Sequence, residues 1–115
     1  YAQYTYARTC SVLEKAPGEH TLTGVPLSPK ECDLVRTLSL FPEKVAAAIA
    51  DYEPSVVTRY ILDLCAAFNG FYHDCPILTS ENARERENRL ALTAATRRVL
   101  GRALHLICMQ TPEKI

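Results

Sequence analysis

No run of apolar residues in this chain approaches the ~20 that a helix needs to cross a bilayer. The opening Tyr1-Ala2-Gln3-Tyr4 has neither the basic nor the apolar region of a secretory signal. Closely spaced cysteines are missing too. Cys10, Cys32, Cys65, Cys75 and Cys108 are odd in number and form no CxxC, which argues against a zinc knuckle, a redox pair or a complete disulfide framework. The expectation is five free thiols in a reducing, cytoplasmic setting. There is no GxSxG, no HExxH, no phosphate-cradling GxxxxGK(S/T) and no GxGxxG, and Gly70 and Gly101 fall inside helical patterns. Catalysis by the chain alone is not expected, nor a metal or cofactor of its own. His73-Asp74-Cys75 is the densest run of potential ligands, but neighbours on a helix cannot all face one ion. Net charge is also absent: 13 Lys and Arg against 13 Asp and Glu exclude a generally sticky polycation.

What is present is enough apolar material, 48% of 115 residues, to bury one core and not two, so residues 1–115 read as a single domain. Charge is unevenly spread. Residues 81–115 hold seven basic side chains against four acidic, and residues 16–80 hold four against eight, which makes the last segment the positive end.

No stretch alternates with period two, and apolar residues recur three and four apart throughout, so the expected class is all-α, a single bundle of about five helices. A first helix runs from about Ala2 to Lys15 and stops at Pro17-Gly18, before a Gly18–Leu27 loop. Ser28-Pro29-Lys30-Glu31 is a capping box with proline at the first helical position. It opens a second helix with the stripe Leu34, Val35, Leu38 and Phe41. A short third helix follows Pro42, with Val45, Ile49 and Tyr52 expected to face inward, and Glu53-Pro54 breaks it. From Pro54 to Asp74 the set Val57, Tyr60, Ile61, Leu64, Phe68, Phe71 and Tyr72 marks a central, buried helix. The last helix spans about Glu81 to Ile107, with the expected core stripe Leu92, Ala95, Val99, Ala103 and Leu106, widened by Leu100, Leu104 and Ile107.

Two surfaces carry candidate chemistry. At 100° per residue Tyr1, Tyr4, Arg8, Ser11 and Lys15 share one face of the first helix, opposite Ala2, Tyr6, Thr9 and Leu13. Rings on which an unstacked base can lie, beside cations for phosphate or a base edge, are what single-stranded RNA recognition requires. The same spacing also suits a solvated face whose tyrosines cover their neighbours. On the last helix Arg98, Arg102 and His105 share an edge beside the core stripe, with Arg84 at a similar angle earlier. Phosphate contact and a merely solubilising charged face both fit that edge. Tyr72 lies at the margin of its apolar stripe, where its hydroxyl can reach a ligand.

Read in order, several separated segments resemble the anticodon-binding domain of arginyl-tRNA synthetases, often called the DALR domain. They are Tyr1-Ala2-Gln3-Tyr4-Thr5-Tyr6-Ala7-Arg8, Leu40-Phe41-Pro42-Glu43-Lys44-Val45, Tyr52-Glu53-Pro54, the stretch 60–69, Phe71-Tyr72-His73-Asp74-Cys75-Pro76-Ile77-Leu78, Arg89-Leu90-Ala91-Leu92, Val99-Leu100 and Thr111-Pro112-Glu113-Lys114-Ile115. The resemblance implies a helical bundle that docks on the anticodon arm of arginine tRNA, acting as a monomer beside an upstream catalytic domain that holds ATP and Mg. It places Tyr1, Tyr4, Arg8 and Tyr72 near the anticodon bases and brings the C-terminal residue, Ile115, close to them. Glu14 stands where the family commonly has arginine, which leaves Lys15 to substitute, and Ile115 stands where it ends in methionine. The family's catalytic HIGH and KMSKS signatures are absent, as expected if the nucleotide-binding fold lies upstream, and a start inside a helix motif suggests a piece of a longer chain. Two other readings remain: a helical module that binds protein through an apolar groove, and the equivalent domain of another class I synthetase such as the cysteinyl enzyme.

Overall fold

The computed structural model describes residues 1–107. All the regular elements among them are helices: α1 (Ala2–Glu14), α2 (Pro29–Ser39), α3 (Phe41–Asp51), α4 (Pro54–Asp74) and α5 (Ala83–Leu106). None is long and apolar enough to cross a membrane. The capping box holds in both directions. Ser28 Oγ accepts from the Glu31 amide at 3.3 Å, and Glu31 Oε1 accepts from the Ser28 amide at 3.1 Å. Asn82 caps α5 in the same spirit, its side-chain oxygen accepting from the amides of Arg84 and Glu85.

α4 packs against all four other helices. Leu64, Cys65, Phe68 and Phe71 are completely buried along it, and burying each large side chain contributes ~1.5–3 kcal/mol. α2 runs antiparallel to α4: Tyr60 donates to the Thr37 carbonyl at one end, and Lys30 meets Asp74 at the other. α1 runs antiparallel to α5, with Tyr6 against Gly101 and Ala16 beside Leu90 and Arg86. The approach is close at Gly101, where a Cβ would stand 3.1 Å from Tyr6 Cε1 and the ring would have to give by a few tenths of an ångström.

Three sequence expectations need correction. Ile49 and Tyr52 do not face inward: they are 69% and 92% exposed. α3 turns into α4 over only two residues, so Tyr52 takes a left-handed conformation (φ 53, ψ 40) that sends its ring to solvent, and Phe41 and Ala48 supply the inward contacts. Leu106 is exposed as well, and Ala95 and Val99 are only half-buried, because the buried face of α5 is rotated towards Thr93, Thr96 and Leu100. Those threonines tolerate burial because their hydroxyls donate to the carbonyls of Arg89 and Leu92 one turn back. α1 repeats the device at Thr5 and Thr9, which join Val12 in the core.

Arg89, one of the seven basic side chains of the last segment, is not at the surface. It is buried between α5 and α2, where it pairs with Glu85 at 2.9 Å and Glu31 at 3.9 Å and donates to the Pro76 carbonyl. The loop 17–27 is tied to α5: His20 meets Glu87 at 2.9 Å, and Thr23 bonds Asn88 and the Arg84 carbonyl. The carboxylate and the Ala16 carbonyl raise the His20 pKa, and His20 in turn lowers that of Glu87. Cys10, Cys32, Cys65 and Cys75 are free thiols, whereas Cys108 lies outside the described residues. The 73–75 run is split, with His73 and Asp74 exposed and Cys75 turned into the core. No group of three metal-ligating side chains occurs among the described residues.

Candidate nucleic-acid interface

The tyrosine face of α1 and the C-terminal half of α4 enclose a groove of about 500 Å³. Tyr4, Arg8, Ser11 and Lys15 line one wall, Tyr72 the other, with Ile77, Leu78 and Thr79 at the end. The helical spacing that put these α1 residues together is thus realised, and Tyr72 joins them from another helix. None of the described residues lining the groove carries a carboxylate.

Arg8 is the fixed point. Its Nη1 donates to Asn69 Oδ1 at 2.8 Å, and its guanidinium carbon lies 4.4 Å from the Tyr72 ring centroid and 5.5 Å from that of Tyr4. Both distances are within cation–π range. A guanidinium has no acceptor, so the Asn69 oxygen must face it, and the amide nitrogen is left to donate to Tyr1 Oη and Thr5 Oγ1, each at 3.1 Å. Asn69 therefore links Thr5 and Arg8 of α1, and Tyr1 just before it, to α4. Tyr1 is 70% exposed, Tyr4 54% and Tyr72 39%, so the rings offer surface to a ligand while the cation between them is held.

Asn69 was not among the residues singled out from sequence. Its position one turn before Tyr72, on the flank of the apolar stripe, is a signal that could have found it. Arg98 and Arg102 lie elsewhere. With Arg97, His105 and Leu106 they edge a second groove, about 750 Å³, whose floor includes Tyr6, Phe41 and Val45. Tyr4 and Tyr6 are 200° apart on α1, so the two grooves lie on opposite sides of that helix. A hydrogen bond to the Tyr6 side chain raises the Arg97 pKa and ties that cation back, whereas Arg98 and Arg102 are exposed. Arg84 sits against Gly24 of the loop and not with this edge. Ile115 lies outside the described residues.

A family model described as the DALR anticodon binding domain matches residues 2–115. The chain belongs to that family. Among curated relatives of this DALR domain, an arginine–tRNA ligase of Clostridioides difficile (strain 630) is 42% identical over 118 residues, covering 100% of this chain and 21% of the relative. The arginine–tRNA ligase of Bacillus subtilis (strain 168) is 40% identical over 121 residues, covering 100% of this chain and 22% of that one. Among solved structures, Thermus thermophilus arginyl-tRNA synthetase superposes on the DALR domain with a TM-score of 0.94 at 33% identity, over 100% of this chain and 21% of that one. The chain thus spans about a fifth of the length of the relatives it matches.

Proposed function

We propose that this chain binds the anticodon arm of an arginine tRNA and supports arginine attachment by a catalytic domain carried on the same longer polypeptide. The observation that carries the reading is the α1–α4 groove, where exposed tyrosine rings surround an arginine held in place by Asn69. Splayed bases stack on Tyr1 and Tyr4, Tyr72 completes the RNA site from α4 beneath Arg8, the Arg8 edge donates to base or phosphate acceptors, and Lys15 holds a neighbouring phosphate. Arg98 and Arg102, on the far side of α1, serve as sequence-independent phosphate contacts. ATP and Mg belong to the catalytic domain, so the chain alone neither activates arginine nor needs a cofactor. It works as a monomer in the cytoplasm.

Titration of labelled arginine tRNA and of a non-cognate tRNA into the 115-residue chain, at two salt concentrations, tests this. The expected result is tighter binding of the arginine tRNA at both salts. Equal affinity for the two tRNAs, or no binding at low salt, overturns the reading, and preference for a cysteine tRNA reassigns the domain to another class I synthetase. Arginine-dependent pyrophosphate exchange by the purified chain would contradict the absence of catalysis.

A further inference from the structure

We propose that Asn69 and Tyr72 are positioning residues, which act on RNA through Arg8 by fixing its guanidinium in one orientation before RNA arrives. This rests on the groove being the RNA site. In the free domain Tyr72 is already engaged: Arg8 lies over its ring, and the Phe68 ring is tilted against it with centroids 6.1 Å apart. Tyr72 is thus the platform for the cation, and Tyr1 and Tyr4, the more exposed rings, are the ones left to stack on bases.

Asn69 completes the hold. Its oxygen takes one of the five N–H donors of Arg8, and its nitrogen donates to Tyr1 and Thr5, so a flipped amide would set N–H against the guanidinium and lose the Thr5 contact. Thr5 is itself pinned, because its hydroxyl donates to the Tyr1 carbonyl at 3.1 Å. With Tyr4 and Tyr72 rings within cation–π range and one donor taken by Asn69, the guanidinium keeps its other N–H groups for a ligand. That arrangement suits a planar group with adjacent acceptors, such as a base edge, or a phosphate. A free arginine would lose rotamer entropy on binding, and this one has lost much of it on folding.

A double-mutant cycle on arginine tRNA affinity separates positioning from direct contact. In the parent background Asn69→Ala and Tyr72→Leu should each weaken binding about five- to tenfold, and Tyr72→Phe, which keeps the ring under Arg8, should rescue most of the Tyr72→Leu loss. In an Arg8→Ala background the same two substitutions should change affinity less than about twofold, because the group they orient is gone. Melting temperatures are measured alongside. Tyr72 is at the surface, so Tyr72→Leu carries the test by itself if Asn69→Ala does not fold. If Arg8→Ala weakens binding but Asn69→Ala and Tyr72→Leu cost as much with or without Arg8, the positioning role is wrong and Tyr72 touches RNA directly. If Arg8→Ala binds like the parent, the assignment of the groove as the RNA site falls, and the positioning role with it. A base edge is distinguished from a phosphate by substituting anticodon bases one at a time: the Arg8→Ala loss should vanish for one base substitution if an edge is read and persist through all if a phosphate is held.

Discussion

The two grooves on either side of α1 use similar residue types in opposite arrangements. On the Tyr4 side the rings are exposed and the cation is tied down, by Asn69 and by the face of Tyr72. On the Tyr6 side the ring is packed against Gly101 and bonded to Arg97, while Arg98 and Arg102 extend from α5 into solvent. A held cation among open rings can discriminate between ligands by geometry. Loose cations at a rim contribute charge, which every RNA satisfies equally. The buried Arg89 completes the series, since its Nη1 and Nη2 donors are committed inward to Glu31, Glu85 and the Pro76 carbonyl.

The largest effect we expect sharpens the contrast at this buried extreme. Arg89→Ala removes the cation facing Glu31, which is 2% exposed, and should cost about 3 kcal/mol of stability in urea unfolding. Whatever remains folded should bind RNA like the parent. Loss of RNA affinity at full stability would mean that Arg89 is not structural.

Next comes the open-ring side. Tyr4→Ala should cost ~1–3 kcal/mol of arginine tRNA affinity, the range for losing a stacked base, with little change in melting temperature because the ring is at the surface. Tyr4→Phe should retain most of that affinity. Parent-like binding by a folded Tyr4→Ala would break the comparison.

The loose-cation side should respond less. Arg98→Ala or Arg102→Ala should weaken binding less than tenfold at low salt, and each should lower the slope of log affinity against log salt by ~0.7–0.9 if it meets one phosphate. An unchanged slope would remove these residues from the interface.

The smallest expected effect lies in the loop clasp, whose His20 and Glu87 line neither groove. The His20 pKa is raised above 6.5 by Glu87, so the stability it supplies is complete below about pH 6.5 and fades as pH climbs through the raised value. The Glu87 pKa is lowered below 4.5, so its share is complete above about pH 4.5 and fades on acidification through the lowered value. The clasp is therefore strongest between those limits. His20→Gln should flatten the decline of melting temperature on the alkaline side, and an identical pH profile for parent and variant would show that the pair is idle.

Helix positions were largely legible because their punctuation is local. Ser28-Pro29-Lys30-Glu31 and the Pro54–Asp74 boundaries follow from caps and prolines within a few residues. The orientation of a helix face was less so. On α5 the apolar residues alone placed the stripe around Ala95 and Val99, because a threonine counts as polar until its hydroxyl is seen to bond its own helix. Tyr52 was misplaced for a related reason: a two-residue helix junction imposes a left-handed backbone that periodicity cannot register. In the candidate site, the α1 residues follow from the 100° step, since Tyr4, Arg8, Ser11 and Lys15 do line one groove. Asn69 did not, because its role depends on which helix lies opposite. Arg8 and the Arg98–Arg102 edge were already two surfaces in sequence, and the packing of α1 on α4 and α5 sets them on opposite sides of α1.

The account stands most directly on a ratio, the affinity for an arginine tRNA divided by that for a non-cognate tRNA. It should be measured for the parent, for Arg8→Ala and for the Arg98→Ala/Arg102→Ala double variant at fixed salt, with melting temperatures alongside. Arg8→Ala should lower the ratio towards one, whereas the double variant should weaken both tRNAs by the same factor and leave the ratio at its parent value. A folded Arg8→Ala that keeps the ratio, together with a double variant that collapses it, would contradict the account and move RNA reading to the opposite side of α1.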